Sequence, residues 1–179
     1  SKEKFKVLSE LLYSEDEVLE EPAEELVSTS LTELLSNQTT AKGLEWRLSC
    51  LNESLGPLRK GDFGFLFARP ETGKTTFLAS EISFFLDQVE TPILWFNNEE
   101  QGDKVMLRVY QAIFGITLDQ LKADPRRYEE EYNRRFSGRF AMVDQAHLHR
   151  DSVHRTIERM CPSLIIFDQI DKLKGFDDD

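Results

Sequence analysis

The stretch FGFLFARPETGKTTFLASE, residues 63–81, decides the fold. An apolar run from Phe63 to Phe67 leads into Ala68-Arg69-Pro70-Glu71-Thr72-Gly73-Lys74-Thr75. That is the G-x-x-x-x-G-K-[ST] phosphate loop at every position except the first, where Ala68 stands for glycine. A strand that ends in a glycine-containing turn and opens a helix aims several backbone N–H groups into one concavity, where the helix dipole also favours negative charge. A polyphosphate fits such a place. In the loop from Arg69 to Thr76, Gly73 lets the backbone approach the phosphate and Lys74 reaches the β and γ phosphates. Thr75 offers its hydroxyl to magnesium. Ala68 is the departure, because the first position often needs a conformation that only glycine adopts cheaply.

Working outward, the pattern from residue 42 onward alternates strands with helices. DFGFLF (62–67) reads as a buried strand, and the helix after the loop runs to about Leu86 with Phe77, Leu78, Ile82, Phe85 and Leu86 facing inward. TPILWFNN (91–98) is a second strand, followed by a helix from about Asp103 to Phe114. Residues 117–136 form two short helices separated near Pro125. RFAMVD (139–144) is a third strand, residues 150–160 a helix, and SLIIFD (163–168) a fourth strand. This order predicts an α/β domain over residues 42–179, with a mainly parallel sheet flanked by helices.

Residues 1–41 are different in kind. They are rich in leucine and glutamate, interrupted by Pro22, and predict two or three short helices. Charged stretches such as LEEPAEE read as a solvated face. In SLTELLS, Ser30 with Glu33 three residues on makes a capping box ahead of Leu34 and Leu35. A helix so short needs another surface to cover its leucines, and a neighbouring subunit is one candidate.

The net charge of −11 is unevenly spread. Residues 1–40 carry ten acidic side chains against three lysines, and Asp177, Asp178 and Asp179 close the sequence. The centre is therefore close to neutral, which neither supports nor excludes DNA as a partner. No apolar run approaches the roughly 18 residues of a membrane span, and no secretory h-region opens the chain, so a cytoplasmic location without membrane contact is expected. Cys50 and Cys161 lie in apolar stretches far apart and read as reduced core thiols. Three scattered histidines assemble no zinc spacing.

Two further features bear on chemistry. Asp168 ends an apolar strand, where a carboxylate has no packing reason to be and suits the magnesium shell. Glu99 and Glu100 follow the second strand, on the sheet edge where ligands bind in open α/β folds, so one of them is a candidate general base.

With these residues in place, LNESLGPLRKGDFGFLFARPETGKTTF resembles the start of the ATPase domain of DnaB-type replicative helicases, RecA-like ring motors that include phage primase-helicases. In that family the loop commonly reads A-R-P-x-x-G-K-[ST], so Ala68 looks like a family variant. PILWFNNEE is similar to the strand that carries the family's catalytic glutamate, which falls on Glu99. Met106-Leu107-Arg108 is similar to the hydrophobic-arginine segment of the next helix, and SLIIFDQ to the Walker B strand, giving Asp168. The resemblance covers about residues 43–174. It implies a RecA-like P-loop fold, ATP and magnesium as ligands, single-stranded DNA as partner, a homo-oligomer that is most often a hexamer ring, and primase or other replisome proteins as associates. A phage origin would make the location the host cytoplasm. The segment before residue 42 corresponds to the linker helix that packs on the adjacent subunit in such rings.

The family continues beyond the Walker B strand with a further strand, DNA-gripping loops and an arginine finger. Here Gln169 does not match the later phosphate-sensing residue, and none of Arg126, Arg127, Arg134 or Arg135 falls where the finger would be. The expectation is a fragment of a longer helicase. Two other readings compete: a non-catalytic, ATPase-like assembly module docking on a replisome partner through its acidic tail, and a small P-loop kinase. DPRRYEEEYNRRFSGR (124–139) superficially supplies a kinase's arginines and lid, yet i, i+4 pairing such as Glu130 with Arg134 reads more simply as a solvated helix.

Overall fold

The computed structural model describes residues 30–40, 42–69, 71–145, 148–170 and 173–175. Its sheet has three parallel strands, β1 (Ile93–Asn97), β2 (Phe140–Asp144) and β3 (Leu164–Asp168), in the order β2-β1-β3. All five residues of β1 are buried, as a central strand covered on both faces requires. The register is common to the three: Ile93 lies opposite Phe140 and Leu164, and Asn97 opposite Asp144 and Asp168. Three polar strand ends therefore form one row, Asp144–Asn97–Asp168, along the carboxyl edge.

Period-two alternation divides β1 between two cores. Ile93 and Trp95 face the helix after the phosphate loop, α3 (Lys74–Phe85), together with α4 (Gly102–Phe114) and α6 (Pro125–Phe136). Ala79, Ile82 and Phe85 meet Val105, Val109, Tyr132 and Phe136 there. On the other face Leu94 and Phe96 pack with Val153 of α7 (Arg150–Met160), Leu148 and Leu173, and Phe96 stacks on Phe167 at 5.0 Å.

Local signals set the helix ends. Thr117 opens α5 (Leu118–Ala123) with a capping box, its hydroxyl accepting from Gln120 N while the Gln120 side chain takes the Thr117 N–H. Asp124 caps α6, and Pro125 fills its first position, where a missing N–H costs nothing. Gly115 ends α4 in the left-handed region at φ 63°. Among the described residues the i, i+4 ion pair on α6 is Glu131–Arg135 at 3.9 Å rather than Glu130 with Arg134, and Arg135 also reaches Asp87.

The segment before the loop is fastened to α3. Leu44 and Leu58 form an antiparallel bridge around α2 (Ser49–Leu55), and a Cβ at Gly43 would lie 2.7 Å from Leu58 O. The Gln88 amide pairs with both backbone groups of Glu45, the Arg47 N–H donates to buried Glu81 at 2.7 Å, and Trp46 meets Phe85 edge-on at 5.4 Å.

Three expectations need correction or limit. DFGFLF is not a strand: residues 62–67 are irregular, and Phe63, Phe65 and Phe67 are 51 %, 55 % and 86 % exposed. β-structure exists only through pairing, and among the described residues none runs beside this segment or beside the outer edge of β3. Cys50 and Cys161 are free, as expected, but exposed rather than in the core, since α2 buries no residue and Cys161 is the left-handed cap of α7. Of the amino-terminal helices, α1 (Leu31–Thr40) is present, with Ser30 Oγ accepting from Glu33 N at 3.3 Å. Leu31 and Leu35 are exposed on it. The other helices expected there lie outside the described residues. No helix among the described residues is long and apolar enough to cross a membrane.

Candidate nucleotide site

The phosphate loop sits where α3 begins. Gly73 caps the helix at φ 95°, ψ 21°, its carbonyl accepting from Phe77 N at 2.9 Å, and the Thr72 hydroxyl donates to Arg69 O at 2.7 Å. Pro70 lies outside the described residues. The residues with positive φ are informative: Glu71 (62°) and Gly73 carry the left-handed turns, and Ala68 does not. The first position therefore makes no demand that alanine cannot meet, and the conformational cost falls on Glu71. Glu71, Thr72, Gly73 and Thr76 are exposed, while Lys74 and Thr75 in the first turn of α3 are half-buried.

Lys74 joins the expected carboxylates. Its Nζ is 2.8 Å from Glu99 Oε2 and 2.8 Å from Asp168 Oδ1. Burial pulls the lysine toward neutrality, yet the two carboxylates outweigh it and hold the ammonium above its ordinary range. Glu99 is held below the usual carboxylate range, first by the Lys74 hydrogen bond. Asp168 runs the other way: burial raises it, and Lys74 offsets only part of that.

Asp168 is only 2 % exposed. Its Oδ1 contacts Lys74 as an ion pair outside hydrogen-bond geometry, and Oδ2 has no hydrogen-bond partner. A buried carboxylate oxygen without a donor costs free energy unless a ligand satisfies it. A hydrated divalent cation suits such an oxygen.

The paired glutamates are separated by their partners. Glu99 turns to Lys74, whereas Glu100 takes both arms of Arg108 from α4, one at 2.9 Å. The connecting turn is framed by residues outside the motifs. Asn97 donates to Asp144 Oδ1 at 2.8 Å and to Glu100 O at 2.6 Å, and Asn98 donates to Gln169 O at 3.0 Å. Gln169 itself is left-handed at φ 63°. Asn97 and Asp144 carried the same signal as Asp168, a polar residue closing an apolar strand.

A parallel sheet with a glycine turn, a lysine and two carboxylates at its carboxyl edge defines a RecA-like P-loop domain. Residues 29–179 match the AAA domain family, and the chain belongs to it. It is thus an AAA-type P-loop ATPase domain, with nucleotide as its ligand. No protein of curated function matches it.

Proposed function

We propose that this domain binds and hydrolyses magnesium-ATP as the motor core of a ring-forming replicative helicase that moves on single-stranded DNA. The observation that carries the ATPase reading is the convergence of Lys74, Glu99 and Asp168 within 2.8 Å contacts beside the Gly73 turn. The helicase reading is supported by the A-R-P-E-T-G-K-T loop together with the NNEE and LIIFDQ strand ends.

Lys74 pairs with both carboxylates and leaves one negative charge unbalanced. An incoming triphosphate competes for the ammonium, and N–H groups from Thr72 to Thr76 receive its oxygens. Glu99, released from Lys74, is placed to accept a proton from the attacking water, while Lys74 stabilises charge on the transferred phosphoryl group. Thr75 and Asp168 would hold magnesium, which would supply Lewis-acid neutralisation of the phosphates. A chain acting in a ring takes a further cation from its neighbour, a contribution worth about a thousandfold or more, so hydrolysis by isolated subunits is slow.

The test is calorimetric titration of magnesium-ATP together with phosphate release, on the wild type and Lys74→Ala. Binding and turnover in the wild type, both lost in the variant, are expected. Wild-type turnover in the variant ends the assignment. Stimulation of hydrolysis by single-stranded DNA separates the motor from a nucleotide-dependent assembly module, which shows none.

A further inference from the structure

Glu99 lies in a turn of four residues between the central strand and α4, and a base on so short a connection is only as well placed as the turn's two ends. Both ends converge on Asp144, a residue of the neighbouring strand that itself has no contact with Lys74 or Asp168 among the described interactions. Asp144 Oδ1 accepts from Asn97 Nδ2 at 2.8 Å, and Oδ2 accepts from Gly102 N at 3.0 Å. Asn97 is fully buried and spends its second amide hydrogen on Glu100 O at 2.6 Å. One carboxylate thus holds the last residue of β1 and the first residue of α4, and through Asn97 it also holds the residue after Glu99.

The fit leaves no slack. A Cβ on Gly102 would lie 2.6 Å from Asp144 Oδ2 and 2.9 Å from Asp144 Cβ, so only glycine admits the carboxylate there. An orphan N–H at the start of a helix also gains from a carboxylate.

We propose that Asp144 is a positioning residue for hydrolysis: bridging Asn97 and Gly102, it fixes the Glu99 turn so that the carboxylate stays at the γ-phosphate after Lys74 has moved to the nucleotide. The proposal rests on the reading of Glu99 as the base. Its distinguishing consequence is a split between binding and turnover. The side chains of the bridge make no described hydrogen bond or ion pair with the phosphate loop or with Asp168, which meets Asn97 only through the backbone ladder of β1 and β3, so nucleotide affinity is untouched while the rate falls. Misplacing a reacting group by about 1 Å can cost roughly a hundredfold.

The experiment uses the full chain and compares Asp144→Ala, Gly102→Ala, Glu99→Gln and the double variant Asp144→Ala/Glu99→Gln. Gly102→Ala disturbs the bridge from the other side while favouring helix, so it keeps the test decisive if Asp144→Ala folds poorly. Expected are kcat lowered between about tenfold and a hundredfold in each bridge variant, with Kd for magnesium-ATP unchanged, and no further loss when Asp144→Ala is added to Glu99→Gln. Amide exchange over residues 97–102 should quicken in both bridge variants. Wild-type kcat in the bridge variants beside an inactive Glu99→Gln overturns the positioning role. Additive losses in the double variant, or a rise in Kd together with a fall in thermal midpoint, also overturn it by pointing to a structural role. Full turnover in Glu99→Gln instead removes the base assignment, and the positioning role goes with it.

Discussion

The ammonium of Lys74 lies 2.8 Å from Glu99 Oε2 and 2.8 Å from Asp168 Oδ1, so one cation bridges the turn after β1 and the end of β3. It acts as an internal counter-ion to both. Each carboxylate answers it differently because Asp168 is buried and Glu99 is partly solvated.

The first prediction concerns titration. Glu99 is held below its ordinary 4.5, so its stabilisation is present above that value and lost as pH falls through the lower folded one. Asp168 is raised above 3.8 by burial, so its ionisation costs stability and acidification relieves that cost. Lys74 is raised above 10.5, and its contribution is present below that value and lost as pH rises through the higher one. Carboxyl carbon NMR should show Asp168 above and Glu99 below their ordinary values. Lys74→Ala should raise both, and a Glu99 value that stays low in that variant would disprove the bridge.

A second prediction follows from the buried charge. Asp168→Asn removes an ionised group whose Oδ2 lacks a donor, while Lys74 keeps Glu99. The nucleotide-free variant should gain about 1 kcal/mol, a rise of roughly 2–4 °C in thermal midpoint, and lose magnesium-dependent nucleotide binding. A lower midpoint without nucleotide would mean that the ion pair repays the burial.

The adjacent glutamates should separate cleanly. Glu99→Gln is expected to lower phosphate release by about 10²–10⁴-fold with ATP still bound. Glu100→Gln breaks a half-exposed pair with Arg108, costs roughly 1 kcal/mol or less in denaturant melts, and leaves most of the turnover. Reversed phenotypes would exchange the two roles.

Gly73 isolates conformational cost from steric cost. Nothing lies within 4 Å of a Cβ added there, yet φ is 95°. Gly73→Ala should therefore destabilise by about 1–2 kcal/mol through backbone strain alone and weaken ATP binding in calorimetry. An unchanged melt would show that the turn relaxes freely.

If α1 packs on a neighbouring subunit, its exposed Leu31 and Leu35 are the contact. The double change Leu31→Glu/Leu35→Glu should then lower the mass seen in light scattering while the ATP-binding heat persists. An unchanged mass would leave the helix without that role.

Periodic and terminal signals made most of the fold legible. The three strands and the helices between them fall where the apolar runs and Pro125 put them, because β1 and its flanking helices obtain their burial from one another. Phe63 to Phe67 misled for the same physical reason in reverse: an apolar run states a need for a partner without saying whether one is adjacent. In the site, Lys74 was readable from the loop spacing and Asp168 from its strand end, whereas the end of the second strand offered Glu99 and Glu100 alike and only the family resemblance chose Glu99. Asp144 showed the same polar strand end as Asp168, but its tie to Gly102 was hidden, since it lies in a 3.0 Å contact across 42 positions of sequence.

The aromatic ladder Phe63–Phe65–Phe67, with ring centroids 4.9 and 5.7 Å apart, immediately precedes the phosphate loop. Such a greasy ribbon invites self-adhesion, so handling of this chain by itself should be governed by colloidal behaviour: dye uptake by ANS, retention on phenyl resin and clouding on concentration. The piece of backbone that must hold phosphate is thus coupled to an exposed apolar surface, and whatever shields the second will steady the first.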